Sequence, residues 1–72
     1  MNRSFNTNVK YKDKVFHIQT EVYKNVVVTN VFDRGRVVFT QRNDFVDFKS
    51  TINQHQSVES KIKKGDFQVN YD

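Results

Sequence analysis

The side chains best suited to chemistry are two histidines and a glutamate. His55 and Glu59 are four residues apart, so a helix would place both on one face, within reach of a single metal ion. His17 is the other histidine, and no third ligand follows on the predicted helix. His55 also falls within the apolar stripe of that helix. We therefore expect a packed, hydrogen-bonded histidine, and we predict neither a metal site nor a cofactor.

Nucleophilic catalysis is the second chemistry to weigh, and it needs an activated nucleophile beside an oriented base. The chain has no cysteine, and its serines stand in no recognisable nucleophile motif. These serines are Ser4, Ser50, Ser57 and Ser60. We predict that the protein is not an enzyme.

The elements that must position these side chains are mostly strands. The 72 residues include 12 valines and 7 phenylalanines but no leucine, alanine or proline. Branched and aromatic side chains favour pleated sheets, so the composition favours a sheet-dominated domain. A first strand is predicted over residues 8–11. From Val15 to Val22 the chain alternates, which predicts a second strand with Phe16 and Ile18 on one face.

The segment from Val26 to Thr40 predicts a hairpin that is apolar on both faces. Its turn, Asp33-Arg34-Gly35, fits a type I turn closed by a left-handed glycine, which would place Phe32 opposite Arg36. The face toward the core would then carry Val27, Thr29, Val31, Val37 and Phe39. The opposite face would carry the predicted interface residues Val26, Val28, Phe32 and Val38.

A helix follows, because the apolar period changes from two residues to three or four. Phe45, Phe48, Ile52 and Ile62 fall within one arc of a helical projection. Asn43 and Asp44 are suitable N-terminal caps, and Gly65 is a suitable stop. These elements predict one α+β domain over residues 1–72: an antiparallel meander of three to four strands, then one C-terminal helix packed on one sheet face. We expect residues 1–6 and 68–72 to be flexible.

Charge gives a second prediction, since the chain carries a net charge of +4. In a meander the first and third turns lie at one end, and a helix running back along the sheet brings its last turn to that end. We call the predicted cluster the basic pole. It comprises Lys12, Lys14, Arg34, Arg36, Lys61, Lys63 and Lys64.

The leading functional prediction is a non-catalytic interaction module that self-associates through its sheet, or binds another protein there. One helix can cover only one sheet face, and uncovered apolar faces and strand edges are common sites of association. The alternative is a nucleic-acid-binding protein that uses the basic pole. No apolar run is long enough for a membrane span, so we expect no membrane partner. Without cysteine or an export signal, we expect a cytoplasmic protein.

Several short motifs, in order, resemble a family of small uncharacterised bacterial domains. That family has a Phe-His-Val-Gln-Thr-Glu strand, matched here at five of six positions by residues 16–21. Its C-terminal helix contains Gln-His and ends in Gly-x-Phe, as do residues 54–55 and 65–67 here. After Glu21 the chain departs from the family pattern. The resemblance implies a coherent fold and marks His17, Gln19, Glu21 and His55 as positions to test.

Overall fold

The computed structural model describes residues 3–67, with only the backbone of Arg3, as one four-stranded antiparallel sheet followed by a helix. The strands lie side by side in chain order. The elements are β1 (Arg3–Tyr11), β2 (Lys14–Tyr23), β3 (Val26–Asp33), β4 (Arg36–Asp44) and α1 (Phe48–Lys64). The predicted α+β meander with a C-terminal helix on one sheet face is therefore confirmed, with four strands.

β1 is longer than its sequence pattern predicts. It pairs with β2 from Arg3, opposite Val22, to Tyr11, opposite Lys14. The sequence predicted a flexible end over residues 1–6, whereas the backbone of residues 3–6 pairs with β2. The prediction for residues 68–72 lies outside the described residues.

The β3–β4 turn differs from the predicted type. Arg34 and Gly35 both have positive φ, at 57° and 80°. Two successive left-handed residues form the two-residue type I′ turn, whose twist matches that of the flanking strands. Asp33 therefore pairs with Arg36, whereas the sequence predicted Phe32 in that place.

The register of this turn reassigns the valines of β4. Asp33 pairs with Arg36, so Phe32 pairs with Val37 rather than with Arg36, and a one-residue shift moves side chains to the other face. Val38 was predicted on the uncovered face, but it is 2% exposed in the core, whereas Val37 is 46% exposed. A β-bulge follows, because Val31 pairs with Phe39, and it returns Phe39 to its predicted side of the sheet.

The helix begins later than predicted, at a different cap. Asp44 pairs with Val26 at the end of β4, so neither Asn43 nor Asp44 caps the helix. The cap is Asp47, whose Oδ1 accepts the Ser50 backbone N–H at 2.7 Å. This hydrogen bond lowers the pKa of the Asp47 carboxyl. Gly65 ends the helix with φ of 70°, as predicted, and its N–H bonds the Ile62 carbonyl.

The buried stripe of α1 is partly polar. Its buried residues are Thr51, His55, Val58 and Ile62. Phe48 and Ile52 were predicted in this stripe, but they are 45% and 41% exposed. The helix packs on β1, β2 and β3. The core between the helix and the sheet comprises Val9, Phe16, Ile18, Val31, Val38, Val58 and Ile62.

The sheet face opposite α1 is called the open face, because no described element packs on it. Strand alternation places His17, Gln19 and Glu21 of β2 there, beside Phe32 of β3. Within residues 3–67, the helix falls short of the length and apolarity that a membrane span requires.

Candidate nucleic-acid interface

Two turns and the end of the helix meet at one end of the domain. Gly65 sits so close to Tyr11, beside the β1–β2 turn, that a Cβ atom at Gly65 would overlap the Tyr11 hydroxyl. Lys14, from the start of β2, reaches the β3–β4 turn, where its Nζ lies 2.9 Å from Asp33 Oδ2. These contacts bring the three segments of the basic pole to one end, as the topology predicted.

The charge of the chain is concentrated at this end. The basic pole holds seven of the twelve cations, and Asp13, Asp33 and Asp66 are the acids in the same three segments. The pole therefore carries a formal charge of +4, equal to that of the whole chain. Among the side chains that the structure describes outside the pole, four cations are balanced by four carboxylates. A one-sided distribution of this kind attracts anionic partners to one surface.

An aromatic cleft of about 410 Å³ opens at the basic pole. Phe67 stands edge-on to Tyr11, with ring centroids 6.2 Å apart, and to Phe16, with centroids 5.5 Å apart. Lys12 lies at the rim, its Nζ 5.4 Å from the centroid of the Tyr11 ring. The full lining is Tyr11, Lys12, Asp13, Lys14, Phe16, Gly65 and Phe67.

A second cavity, of about 300 Å³, adjoins the first through a shared side chain. It is lined by Lys14, Asp33, Arg34 and Arg36. Lys14 lines both cavities, and its side chain is 50% exposed although it pairs with Asp33. Asp33 is only 8% exposed, and a carboxylate this buried requires a cationic partner. Cationic side chains therefore continue from the aromatic cleft to the β3–β4 turn.

The open face carries the three family-motif residues of β2. The His17 ring is held between two asparagines, with Nδ1 2.9 Å from Asn8 Oδ1 and Nε2 3.1 Å from Asn6 Oδ1. It also lies 5.9 Å from the Phe32 ring, centroid to centroid. Gln19 donates to Glu21 at 2.7 Å. This face is therefore a mixture of hydrogen-bonded polar side chains and apolar ones.

The predicted apolar interface is only partly assembled. Val26, Val28 and Phe32 lie on the open face and are half-buried, whereas Val38 lies in the core. The two-residue turn brings Val37 to the open face in place of Val38, paired with Phe32. Val15 also lies there and is 55% exposed.

His55 lies on the other side of the sheet, within a hydrogen-bonded network that the sequence did not predict as a unit. Its Nδ1 is 2.7 Å from Thr20 Oγ1, and its Nε2 is 2.7 Å from Thr7 Oγ1. Thr20 Oγ1 is also 2.7 Å from Thr29 Oγ1. Within residues 3–67, every buried side-chain nitrogen and oxygen has a hydrogen-bond partner. His55 is therefore packed and hydrogen-bonded, as expected.

The hydrogen bonds of this network form one consistent chain when the His55 ring is neutral. The Thr7 hydroxyl donates to the Glu59 carboxylate at 2.7 Å, so its oxygen accepts from His55 Nε2–H. In the neutral ring, Nδ1 then accepts from the Thr20 hydroxyl, and the Thr20 oxygen accepts from Thr29. Gln54 Nε2 completes the chain by donating to Thr29 at 3.0 Å. Every donor in this chain has an acceptor in the neutral Nε2–H tautomer.

The electrostatic setting of His55 agrees with a neutral ring. Burial lowers its pKa, and the nearby Glu59 carboxylate partly opposes this by raising it, while His17 lowers it further. A charged imidazole would also need Nδ1 to donate, which would reverse the Thr20 hydroxyl. His17 and His55 lie on opposite faces of the sheet, so they do not share an ion. The described part of the chain holds no group of three metal-binding side chains.

Two of these features had signals in the sequence. Thr20 and Thr29 occupy inward positions of adjacent strands, where directly opposed threonines often share a hydrogen bond. The aromatic cleft had a weaker signal, because Phe67 follows the helix stop and its return toward Tyr11 is a tertiary contact.

No protein-family model, curated protein or solved structure matched this chain. Membership of the small bacterial family therefore stays a prediction, and any function has to be argued from the geometry of the described residues.

Proposed function

We propose that the protein is a non-catalytic nucleic-acid-binding module and that the basic pole is its binding surface. The observation that carries this proposal is the placement of the net positive charge of the described side chains at the one end where two turns and the helix terminus converge. Phosphate contacts by lysine and arginine supply most of the affinity in non-specific nucleic-acid binding.

The cations at the pole are disposed to follow a phosphate backbone. Lys12, Arg34 and Arg36 are exposed, as are the three lysines in the last turn of α1. Lys14 joins the two cavities and retains half of its side-chain surface. Neutral or basic ligands gain no electrostatic attraction from such a surface, whereas an anionic polymer is attracted to it and releases bound counterions when it docks there.

The proposal predicts binding that is strongly sensitive to salt and localised to the pole. We expect a labelled single-stranded DNA to bind, with log affinity falling linearly with log salt by about 0.7 for each neutralised phosphate. Replacing Arg34, Arg36, Lys63 and Lys64 by Gln should weaken binding and flatten that slope by about 0.7 for each cation that contacts a phosphate. Fluorescence anisotropy at several salt concentrations measures both effects.

A matched control separates position from charge. The variant Lys24→Gln, Arg42→Gln and Lys49→Gln removes three charges away from the pole, and it should retain more of the affinity and slope than Arg34→Gln, Arg36→Gln and Lys63→Gln, which removes three charges at the pole. Equal losses in both variants, at unchanged secondary structure, would contradict a localised site. Absence of binding by the wild-type protein at low salt would end the proposal.

The second candidate is self-association through the open face. It is favoured by the exposure of Val15 and Val37, at 55% and 46%, beside the half-buried Phe32. Apolar side chains grouped on an uncovered sheet face are common in association sites. The polar side chains of His17 and Gln19 interrupt the surface, and this is why we rank it second.

Self-association predicts a particle of twice the 8.6 kDa chain mass in sedimentation equilibrium. Val37→Lys should then return the protein to monomer, because a dimer interface would bury the new charge without a partner. Val46→Lys is the matched control, since Val46 is 73% exposed in the β4–α1 connection. A wild-type protein that stays monomeric at millimolar concentration would exclude this function.

A further inference from the structure

The aromatic cleft has the construction of a ligand site. Its volume of about 410 Å³ lies within the range of pockets that hold small molecules. Phe16 is 2% exposed, whereas Tyr11 and Phe67 are half-buried and keep part of their rings accessible. The cleft therefore combines a buried apolar wall with two rings that an entering group can touch.

The charges around the cleft indicate the kind of ligand that suits it. Lys12 and Lys14 both line it, and the last turn of α1, with three lysines, ends at Gly65 in the same wall. An apolar ligand would fill the ring-lined interior but leave these cations unused. A planar ring attached to a phosphate satisfies both parts, since stacking and phosphate neutralisation are the two components of single-strand recognition.

Asp13 also lines the cleft, and its carboxylate limits what can enter. Its negative charge would repel a second phosphate inside the cleft, and its oxygens can accept hydrogen bonds from N–H groups on a nucleobase edge. A paired base cannot present its ring face or its Watson–Crick edge in this way, because stacking covers the face and pairing covers that edge within the duplex.

We propose that the aromatic cleft receives one unpaired nucleobase, with its phosphate at Lys12 and Lys14, so that the protein selects single-stranded over double-stranded nucleic acid. This inference rests on the proposed function, and it adds the class of nucleic acid and the residues that choose it. The second cavity, beside Arg34 and Arg36, takes the neighbouring phosphate along the strand.

The test compares two nucleic acids and two phenylalanine variants. Single-stranded DNA and a duplex of the same length are titrated by anisotropy, and the single strand should bind more tightly. Phe67→Leu keeps an apolar side chain but removes the ring, and it should weaken single-strand binding about tenfold, the order expected for one stacked base. Duplex binding should be unchanged. Phe48→Leu is the matched control, because Phe48 is 45% exposed at the opposite end of α1.

A measurement on the wild-type protein keeps the inference testable if Phe67→Leu fails to fold. Adding adenosine monophosphate should shift the backbone amide resonances of Tyr11, Gly65 and Phe67 before those of other residues. Equal affinity for single strand and duplex would overturn the proposed nucleobase site, as would the absence of any effect of Phe67→Leu on a folded protein. Neither result would contradict phosphate binding at the basic pole. Shifts caused by a neutral phenylalanine peptide but not by the nucleotide would also overturn it. Failure to bind either DNA would remove both proposals.

Discussion

Replacing Thr20 by valine is expected to destabilise the protein by about 2–6 kcal/mol, because it leaves two buried polar groups each without one hydrogen-bond partner. The Thr29 hydroxyl loses its acceptor, and His55 Nδ1 loses its donor. Each unsatisfied buried group costs about 1–3 kcal/mol. At roughly 0.05–0.15 kcal/mol per residue, a domain of this length has a total stability of only about 4–11 kcal/mol.

Urea unfolding followed by circular dichroism measures this loss, and Thr40→Val provides the matched control. Thr40 also lies in a strand, but it is exposed on the open face, where it donates to Asn30 at 2.7 Å. Its replacement should cost less than about 1 kcal/mol, as is usual for exposed positions. If Thr20→Val and Thr40→Val cost the same, the network under the helix does not contribute as its geometry indicates.

The meander was predictable because alternation and turn residues are local signals. The two errors on β4 and α1 have different physical causes. The two-residue turn at Arg34 and Gly35 exchanges the environments of Val37 and Val38, and two adjacent valines carry no pattern that reveals such an exchange. On α1, an apolar projection favours Phe48 and Ile52, although the buried stripe uses Thr51 and His55. Polar residues can occupy a core stripe when their hydrogen bonds are satisfied there, and hydropathy does not register this.

The candidate site was partly predictable for a related reason. The basic pole depends only on the order of strands and the length of the helix, and both follow from short connections and element lengths. The aromatic cleft depends on Phe67 returning past the helix stop toward Phe16, and no spacing rule describes that return. The charges were therefore predictable as a group, whereas the rings beside them were not.

The structure separates the family-motif residues into groups with different roles. His55 and Thr20 join the buried network, and Gly65 and Phe67 form part of the aromatic cleft. His17, Gln19 and Glu21 lie on the open face, where their hydrogen bonds are exposed. Substitution in the buried network should lower stability, whereas substitution on the exposed open face should change stability much less.

The stability of the protein is expected to fall as the pH drops below about 6.5, with His55 as the cause. Burial lowers the pKa of His55 in the folded protein, whereas the unfolded chain keeps a value near 6.5. Between these two pKa values the unfolded state binds more protons, so acid favours unfolding. The contribution is complete above the unfolded pKa and is lost as the pH falls toward the folded one, with a slope of at most about 1.4 kcal/mol per pH unit.

Urea midpoints between pH 7 and pH 5.5 measure this effect. The lower limit of this range lies more than one unit above the usual pKa values of Asp and Glu, so most carboxylates stay ionised throughout. His55→Gln removes the titrating group and should remove the slope, whereas His17→Gln removes the histidine of the open face and should keep it. If His55→Gln does not fold, the titration of the wild-type His55 ring by NMR gives its pKa directly. A slope that persists without His55, or a His55 ring that titrates at or above about 6.5, would show that the chain of hydroxyls from Thr29 to Thr7 does not hold the ring neutral.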